Sequence, residues 1–447
     1  MKRILYFFIL MVVLSNCVFV LAENVDKAPD FYDIVFNGEY YVAVGEKGSI
    51  ITSSDGLSWT LGSVNSDKNL YGVTWKRDKF VAVGEEGIIF TSEDGKKWTE
   101  RNSGISSDIY GIEGNGDKFI AVGDMGKILV SPDGIRWSRI RMATMEVLKK
   151  VKWVNGIFLV VGKDKIILSS DDGISWDQIS IEHSDIAFND AVWNGKEYLI
   201  AGDKMSILTS EDGKDWTYNG DLTIPEENFA DNNINDILLH QDKLIAVGDK
   251  GMIMSSEDGN TWAMEKEVTK KTLMSLSTDG DRVVGVGKDG IIIVSINQDT
   301  WENLTKITAE QNQYSLLENE EKSFQVLIEF PFNMNMDITR YIEYEVTDEN
   351  VIALEKGNII KALNSGQSAI KVFYDEKTLE VPVTVEKPED NINDVEKNDD
   401  EKDNQKDIQK LKEDLFNKIV EIVIRLTIII VLTSIIMFFV RKIKNKF

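Results

Sequence analysis

The stretch that decides the fold is TSEDGKKWTE at residues 91–100, because close variants of it recur along the first two thirds of the chain. Aligned on the tryptophan, the copies fall at Trp59, Trp98, Trp137, Trp176, Trp216, Trp262 and Trp301. The intervals between them are 39, 39, 39, 40, 46 and 39 residues. A regular period of about 40 residues indicates a repeat architecture, in which one small unit of secondary structure is copied.

One unit can be divided into strands directly. Between residues 71 and 98, the runs YGVTW, FVAVG and IIFTS precede the segment that Trp98 opens, and short polar turns separate them. Short β-branched and aromatic runs between Gly- and Asp-containing turns are typical of antiparallel strands. Seven such units predict an all-β fold, with a seven-bladed β-propeller over residues 28–306. A stacked solenoid is the alternative that the period leaves open.

The repeated turn S/T-x-D-G-x-x-W resembles the Asp-box, or BNR, motif of sialidases, sortilin-type receptors and photosystem assembly propellers. Its aspartates are Asp55, Asp94, Asp133, Asp172, Asp212 and Asp258, and the seventh copy reads SINQDTW. We interpret the turn as structural, because a short carboxylate accepts backbone N–H bonds in a tight turn and tryptophan buries a large ring. One or two carboxylates also fall short of a Ca²⁺ shell, so we predict no metal site and no cofactor.

A second domain follows the repeats. Residues 310–386 contain alternating strands, and VTDENVIALEKGNIIKALNSGQSAIKVFY at residues 346–374 resembles the bacterial immunoglobulin-like domain of group 2. The resemblance rests on Val351, Ala353, Gly357, Ile359, Ala362, Gly366, Ala369 and Ile370. It implies a small β-sandwich that serves as a spacer or an adhesion module.

The two ends predict export and anchoring. Residues 1–22 combine a basic start, an apolar run and small residues before Glu23, which is typical of a secretory signal. Residues 387–410 predict an acidic linker, and residues 411–440 a helix with a transmembrane span at 419–440. The basic tail at residues 441–447 predicts a cytoplasmic C-terminus. We therefore expect a single-pass cell-membrane protein with an extracellular body, with lipidation of Cys17 left open.

Charge and motifs argue against nucleic acid and against catalysis. The formal charge of −25 would repel a phosphate backbone. The chain has two histidines, and its arginines do not form the triad that a sialidase needs. We expect a non-enzymatic recognition protein that binds an extracellular protein or glycan. A scaffold for assembly of an envelope complex and an Asp-box glycoside hydrolase are the alternatives.

The candidate binding face carries the connectors between blades, where the unit length varies most. Predicted binding residues there fall into three groups. The innermost strands supply Asp33, Lys150, Asp190 and Asp236; the turns after the second strand supply Glu46, Glu85, Asp124, Asp203 and Asp249; the long connector supplies Tyr218 and Phe229.

Overall fold

The computed structural model describes residues 28–141, 144–181, 186–221, 231–297, 300–339, 342–355 and 358–388. Seven four-stranded antiparallel sheets follow one another along the chain, and within each sheet the spatial order is the chain order. Blade one contains β1 (Phe31–Phe36), β2 (Tyr41–Gly45), β3 (Ser49–Ser53) and β4 (Thr60–Ser63), and blade two contains β5 (Leu70–Lys76), β6 (Lys79–Gly84), β7 (Ile89–Ser92) and β8 (Thr99–Arg101). Blade three contains β9 (Ile109–Gly114), β10 (Phe119–Gly123), β11 (Ile128–Ser131) and β12 (Ser138–Ile140). Blade four contains β13 (Leu148–Val154), β14 (Ile157–Gly162), β15 (Ile167–Ser170) and β16 (Asp177–Ile179). Blade five contains β17 (Phe188–Trp193), β18 (Tyr198–Gly202), β19 (Ser206–Ser210) and β20 (Thr217–Asp221). Blade six contains β21 (Ile234–His240), β22 (Lys243–Gly248), β23 (Ile253–Ser256) and β24 (Ala263–Met264). Blade seven contains β25 (Leu273–Thr278), β26 (Val283–Gly287), β27 (Ile292–Asn297) and β28 (Thr300–Asn303).

The blades close into a ring, which confirms the propeller and excludes the solenoid. The backbone N–H of Asp289 in blade seven donates to Asp30 Oδ1 before blade one over 2.9 Å. The Ser275 hydroxyl of blade seven lies 2.8 Å from Asp33 Oδ1 of blade one. In the second strand of every blade, the last five residues, up to and including the closing glycine, are buried. The middle of each sheet therefore lies in the core.

The repeated turn is a hydrogen-bonded clip. In the first copy, Asp55 Oδ1 accepts the N–H groups of Leu57 and Ser58 over 2.9 and 2.8 Å, and the Trp59 indole N–H donates to the Gly56 carbonyl. Gly56 has φ +71°, and a Cβ there would lie 2.9 Å from Val284 of blade seven. Glycine is therefore required both by its backbone conformation and by the approach of the neighbouring blade.

The same turn also receives a bond from the blade before it. Arg282 of blade seven donates to the Asp55 carbonyl of blade one over 2.6 Å. Arg77 of blade two donates to the Pro132 carbonyl of blade three over 2.8 Å, and Lys118 of blade three donates to the Asp172 carbonyl of blade four over 2.6 Å. The turns thus join adjacent blades as well as closing their own.

Replacement of Asp55 by alanine should lower the free energy of unfolding at pH 7 by about 1–2 kcal/mol, because two backbone N–H groups lose a charged acceptor. Burial, the largest influence, raises the pKa of Asp55, but the N–H bonds from Ser58 and Leu57 outweigh it and leave that pKa below its usual value. The carboxylate therefore stabilises the fold above the unfolded pKa near 4, and this stability is lost as the pH falls toward the lowered folded pKa.

Urea unfolding of both proteins at pH 7 and pH 3 measures this effect. The deficit of Asp55→Ala should shrink at pH 3. Asp177→Ala, at an exposed position in β16, is the matched control and should unfold like the wild type at both values. An Asp55→Ala deficit that stays constant with pH would contradict the role of the charged carboxylate.

After the propeller come ten short strands in three small sheets. The strands are β29 (Lys306–Ala309), β30 (Tyr314–Leu317), β31 (Glu321–Ser323), β32 (Val326–Glu329), β33 (Asn335–Asp337), β34 (Glu343–Val346), β35 (Ile352–Glu355), β36 (Ile359–Ala362), β37 (Gly366–Tyr374) and β38 (Lys377–Glu386). The sheets have the orders β29-β32-β33, β30-β38-β37-β34 and β31-β36-β35, and β30 pairs with β38 in parallel. A separate all-β region was predicted here, and its relationship to group-2 immunoglobulin-like domains stays a prediction.

This second region packs against the seam between blades one and seven. Phe332 meets Phe31 edge-on with ring centroids 5.9 Å apart, and Phe330 stacks on Phe332 at 5.2 Å. The Trp59 backbone N–H donates to the Pro331 carbonyl over 3.2 Å. One hydrophobic cluster consequently runs from blade one through blade seven into the second region.

Replacement of Phe332, which is 3% exposed, by alanine should cost about 3–5 kcal/mol and loosen the seam. Hydrogen exchange followed by mass spectrometry should report faster exchange in β2 and β26, on the two sides of the seam. Phe324→Ala removes an equally buried ring that packs on Tyr314 within the second region, and it should leave β26 protected. Equal loss of protection in all seven blades would contradict a local role for Phe332.

The predicted fold class included a C-terminal transmembrane helix, and that part was wrong. Across the described residues the regular elements are strands and three-residue 3₁₀ turns, and no helix there has the length and apolarity needed to span a bilayer. The prediction depended on extending a 15-residue apolar run back past Glu421 and Arg425 to reach the about 20 residues a span requires. The predicted segments at 1–22, 411–440 and 441–447, and all but the first two residues of the 387–410 linker, lie outside the described residues.

Candidate functional site

A β-bulge near the start of each innermost strand shapes the central channel. In blade one, Phe31 pairs with Gly45 and Asp33 with Val44, so Tyr32 is an extra residue in β1. The same slip occurs in the other six innermost strands. A bulge re-aims side chains. The extra residues are Tyr32, Tyr71, Tyr110, Lys149, Asn189, Asn235 and Met274, and all of them line one mouth of the channel.

The next residue of each strand forms a narrow waist below that mouth. Lys150 Nζ lies 2.9 Å from Asp33 Oδ1, across the channel from blade four to blade one. Ser275 Oγ lies 2.8 Å from Asp33 Oδ1 and 2.6 Å from Asp236 Oδ2, and its single proton serves one of them at a time. Lys152 Nζ reaches Asp190 Oδ2 over 3.2 Å.

The waist carboxylates also hold adjacent blades together. Oδ2 of Asp33 accepts the N–H of Val73 in blade two over 2.9 Å. Asp190 and Asp236 accept the N–H groups of Ile237 and Leu276 in the same way, over 3.2 and 3.0 Å. Each bond runs from one innermost strand to the next, where no backbone ladder exists.

Burial and charge distribute the protons at the waist. Burial raises the pKa of Asp190 well above its usual value, although Lys152 opposes this. Burial also acts to raise the pKa of Asp236, but Lys152 and Lys150 outweigh it and lower that pKa to about 2. Burial therefore favours the neutral form of Asp190 beside a charged Asp236, and the Oδ1 atoms of both residues have no hydrogen-bond partner among the described residues.

The structure thus brings the predicted residues Asp33, Lys150, Asp190 and Asp236 together, but not on an open surface. The three carboxyl groups are 5%, 0% and 2% exposed. Their bonds go to backbone, lysine and serine groups of neighbouring blades. Among the described residues, no group of three or more acidic, histidine or cysteine side chains is arranged to hold a metal ion.

Above the waist, the channel mouth forms a pocket of about 460 Å³. Three tyrosines follow one another along one side, with ring centroids of Tyr32 and Tyr71 5.6 Å apart and those of Tyr71 and Tyr110 5.3 Å apart. The other side carries Lys149 and Lys163. A volume of this size lies within the usual range of small-ligand pockets.

Two of the three lysines that line the pocket, Lys149 and Lys163, have no carboxylate bonded to them among the described residues. Lys149 Nζ donates to the neutral Asn189 side chain over 2.6 Å. Burial lowers the pKa of Lys149; Asp203 acts against this shift, whereas Lys163 adds to it. Neither Lys149 nor Lys163 forms an ion pair with a described residue at 4.0 Å or less. Lys150 is different, because Asp33 neutralises it and also holds the side chain in place.

The predicted acidic turn residues lie around this mouth, and most of them cap backbone groups. Glu46, Glu85 and Asp249 accept the N–H groups of Asp30, Asn69 and Asn233 over 3.5, 3.1 and 3.2 Å. Asp203 accepts the Asn189 amide over 3.0 Å. Asp124 lies near Tyr110, where burial first and then Asp124 raise the pKa of the tyrosine hydroxyl.

Of the two predicted apolar anchors, the structure describes Tyr218, which is not part of the mouth. Tyr218 lies in the outermost strand β20 and packs against the core between blades four and five. Phe229 lies outside the described residues. The prediction for Tyr218 requires residues 217–234 to form one connector, whereas residues 217–221 continue the blade as β20.

The three tyrosines of the mouth were missed from the sequence. Tyr32, Tyr71 and Tyr110 recur at intervals of 39 residues, one position before the predicted ring of Asp33. That spacing was a usable signal. The β-bulge that turns these tyrosines toward the channel cannot be recognised in an alternating sequence pattern. Strict alternation places neighbouring residues on opposite faces of a strand, so it would point the tyrosines away from the face that carries Asp33.

A second cavity of about 240 Å³ lies on the far side of the waist. Thr74, Glu113, Lys152 and Ser277 line it, and Lys150 borders both cavities. Thr74 Oγ1 donates to Glu113 Oε1 over 3.0 Å, so these two groups satisfy each other.

Comparison with known proteins supports the fold. Residues 182–316 match the model of the DUF6242 β-propeller domain. The chain contains a β-propeller domain. No curated protein sequence matches the chain.

Several solved structures resemble it at low sequence identity. The structure of YCF48 bound to D1 peptide is 17% identical, covers 61% of this chain and 93% of its own, and has a TM-score of 0.52. The structure of a catalytically inactive virginiamycin B lyase of Staphylococcus aureus with quinupristin is 12% identical and has a TM-score of 0.51. The alignment covers 59% of this chain and 94% of the lyase chain. The extracellular domain of a one-component system from B. thetaiotaomicron is 11% identical and has a TM-score of 0.49. The alignment covers 81% of this chain and 58% of that domain's chain.

Replacement of Asp236 by alanine should destabilise the propeller by about 3–5 kcal/mol, because the partly buried Lys150 and Lys152 lose a nearby countercharge and the Leu276 N–H loses its acceptor. Denaturant unfolding of the purified chain measures this. Asp281→Ala, at an exposed turn position, should unfold like the wild type and serves as the control. An Asp236→Ala protein as stable as the control would show that the waist does not hold the blades together.

Proposed function

We propose that the chain is a non-enzymatic recognition protein that acts outside the cytoplasm and binds a polypeptide at the tyrosine-lined mouth of its propeller. The observation that carries the proposal is the mouth pocket, where three neighbouring aromatic faces meet two lysines that have no ion pair with a described residue, on the connector face. Tyrosine supplies a large, rigid contact area that also hydrogen-bonds, which is why it is frequent in binding surfaces.

Polar groups in the pocket suit a polypeptide backbone. The Asn235 amide N–H donates to the Leu273 carbonyl over 2.8 Å, which fixes the amide and leaves its oxygen as an acceptor. The Asn69 oxygen accepts the Lys47 N–H over 3.0 Å, which turns its NH₂ group, a donor, toward the Tyr71 hydroxyl in the pocket. A peptide offers both a donor and an acceptor at each residue. The similar fold of YCF48, whose structure contains a D1 peptide, supports a peptide ligand here.

Two further features support the remaining parts of the proposal. The waist carboxyl groups are bonded to backbone, serine and lysine groups, so they are committed to holding blades and are poor candidates for acid–base catalysis. The basic start and apolar run in residues 1–22 support export.

Binding of the purified full-length chain to an array of randomised ten-residue peptides and to a glycan array tests the proposal. We expect specific peptides to bind and the double variant Tyr71→Ala, Tyr110→Ala to lose at least tenfold in affinity, because the aromatic faces are gone. Both rings are only half-buried, so the variant should keep its fold.

Tyr344→Ala is the matched control, since this exposed tyrosine lies in the second region, and it should bind like the wild type. Thermal unfolding of each variant separates lost binding from lost folding. Peptide binding that is indifferent to the mouth variant, binding of glycans alone, or binding of neither array would overturn the proposal.

A further inference from the structure

The mouth pocket has a charge opposite to that of the protein as a whole. The chain carries a formal charge of −25, yet three lysines converge at the mouth. Asp33 neutralises Lys150, so the excess positive charge belongs to Lys149 and Lys163. Lys163 is exposed, and Lys149 is bonded to a neutral amide. Two cations placed side by side repel each other, and an anionic group between them would remove that cost.

The surroundings limit which anion can bind. Glu85, Asp124 and Asp203 stand in the turns around the mouth, so a polymer with a negative charge on every unit would be repelled before it reached the lysines. A chain with one carboxylate and otherwise neutral or basic groups would be attracted twice. The lysines at the centre attract its carboxylate, and the acidic residues of the rim attract its basic groups. The geometry therefore favours a polypeptide over an acidic polysaccharide.

The waist sets how deeply the ligand can enter. The Lys150–Asp33 pair spans the channel, and Lys150 borders the cavities on both of its sides. The pair therefore separates the two cavities, and the mouth ends at it. A pocket of this depth admits a chain end or one protruding side chain.

We propose that the mouth recognises a carboxylate of its polypeptide ligand, held between Lys149 and Lys163 while the adjoining residue packs on the tyrosines. The inference rests on the proposed function and adds the chemical group that gives it specificity. Burial of such an ion pair at the centre of an interface commonly makes it a determinant of partner choice.

Three versions of each peptide that binds in the array test this. The first has a free C-terminal carboxylate and no internal acid, the second is amidated and contains one glutamate, and the third is amidated and has no acid. The third version should bind at least tenfold more weakly than the better of the other two. The better version identifies the source of the carboxylate as chain end or side chain. Equal binding of all three versions would overturn the inference.

Lysine variants provide the second arm. Lys163→Met and Lys149→Met should each weaken binding of the carboxylate peptide about tenfold. Lys288→Met is the matched control, because Lys288 occupies the same turn position in blade seven, is exposed and does not line the pocket. High salt should reduce the difference in peptide affinity between the wild type and Lys163→Met, because screening weakens an exposed charge interaction.

The outcomes separate the inference from the proposed function. If the tyrosine variant loses binding and both lysine variants keep it, the carboxylate inference fails and peptide recognition stands. If the tyrosine variant also binds normally, peptide recognition at the mouth fails as well. Acidic oligosaccharides that bind while every peptide version fails would overturn both.

Discussion

The structure depends on bonds between blades. Each sheet is built from consecutive strands, so no backbone ladder crosses from one described blade to the next. Apolar side chains pack between adjacent blades, and polar side chains add bonds at two levels. At the waist, Asp33, Asp190 and Asp236 accept N–H groups of the following innermost strand. On the opposite face, basic residues such as Arg282 and Arg77 donate to the repeated turns of the following blade. Buried carboxylates are tolerated at the waist because each accepts a backbone N–H and lies close to Lys150 or Lys152.

This division of work separates structure from recognition. The repeated turn and the waist carboxylates are occupied by bonds that hold the ring together, although the waist residues were predicted from the sequence to bind a ligand. The residues that line the mouth lie one position earlier in each innermost strand. The β-bulge creates this distinction, since it adds a channel-facing position that the regular strand would lack.

The sequence predicted the fold well where periodicity carries the information. The 39-residue interval of tryptophans and the run FVAVG gave the strand order, the blade number and the role of the turn. The same reasoning placed Asp33, Lys150, Asp190 and Asp236 in one ring. It could not show that these groups are buried and bonded across blades, because such partners as Asp33 and Ser275 are 242 residues apart. It also missed the tyrosines, since a bulge breaks the alternation on which strand assignments rely, and it wrongly extended an apolar run into a transmembrane helix.

The central claim is that ligands meet the channel mouth and not the repeated turns on the opposite face. Amine-reactive footprinting of the full-length chain, with and without a bound array-selected peptide, measures this directly. The account predicts protection of Lys163, with unchanged labelling of Lys288 and of Lys96 and Lys97 beside the repeated turn of blade two. Protection of Lys96 and Lys97 with free labelling of Lys163 would contradict it.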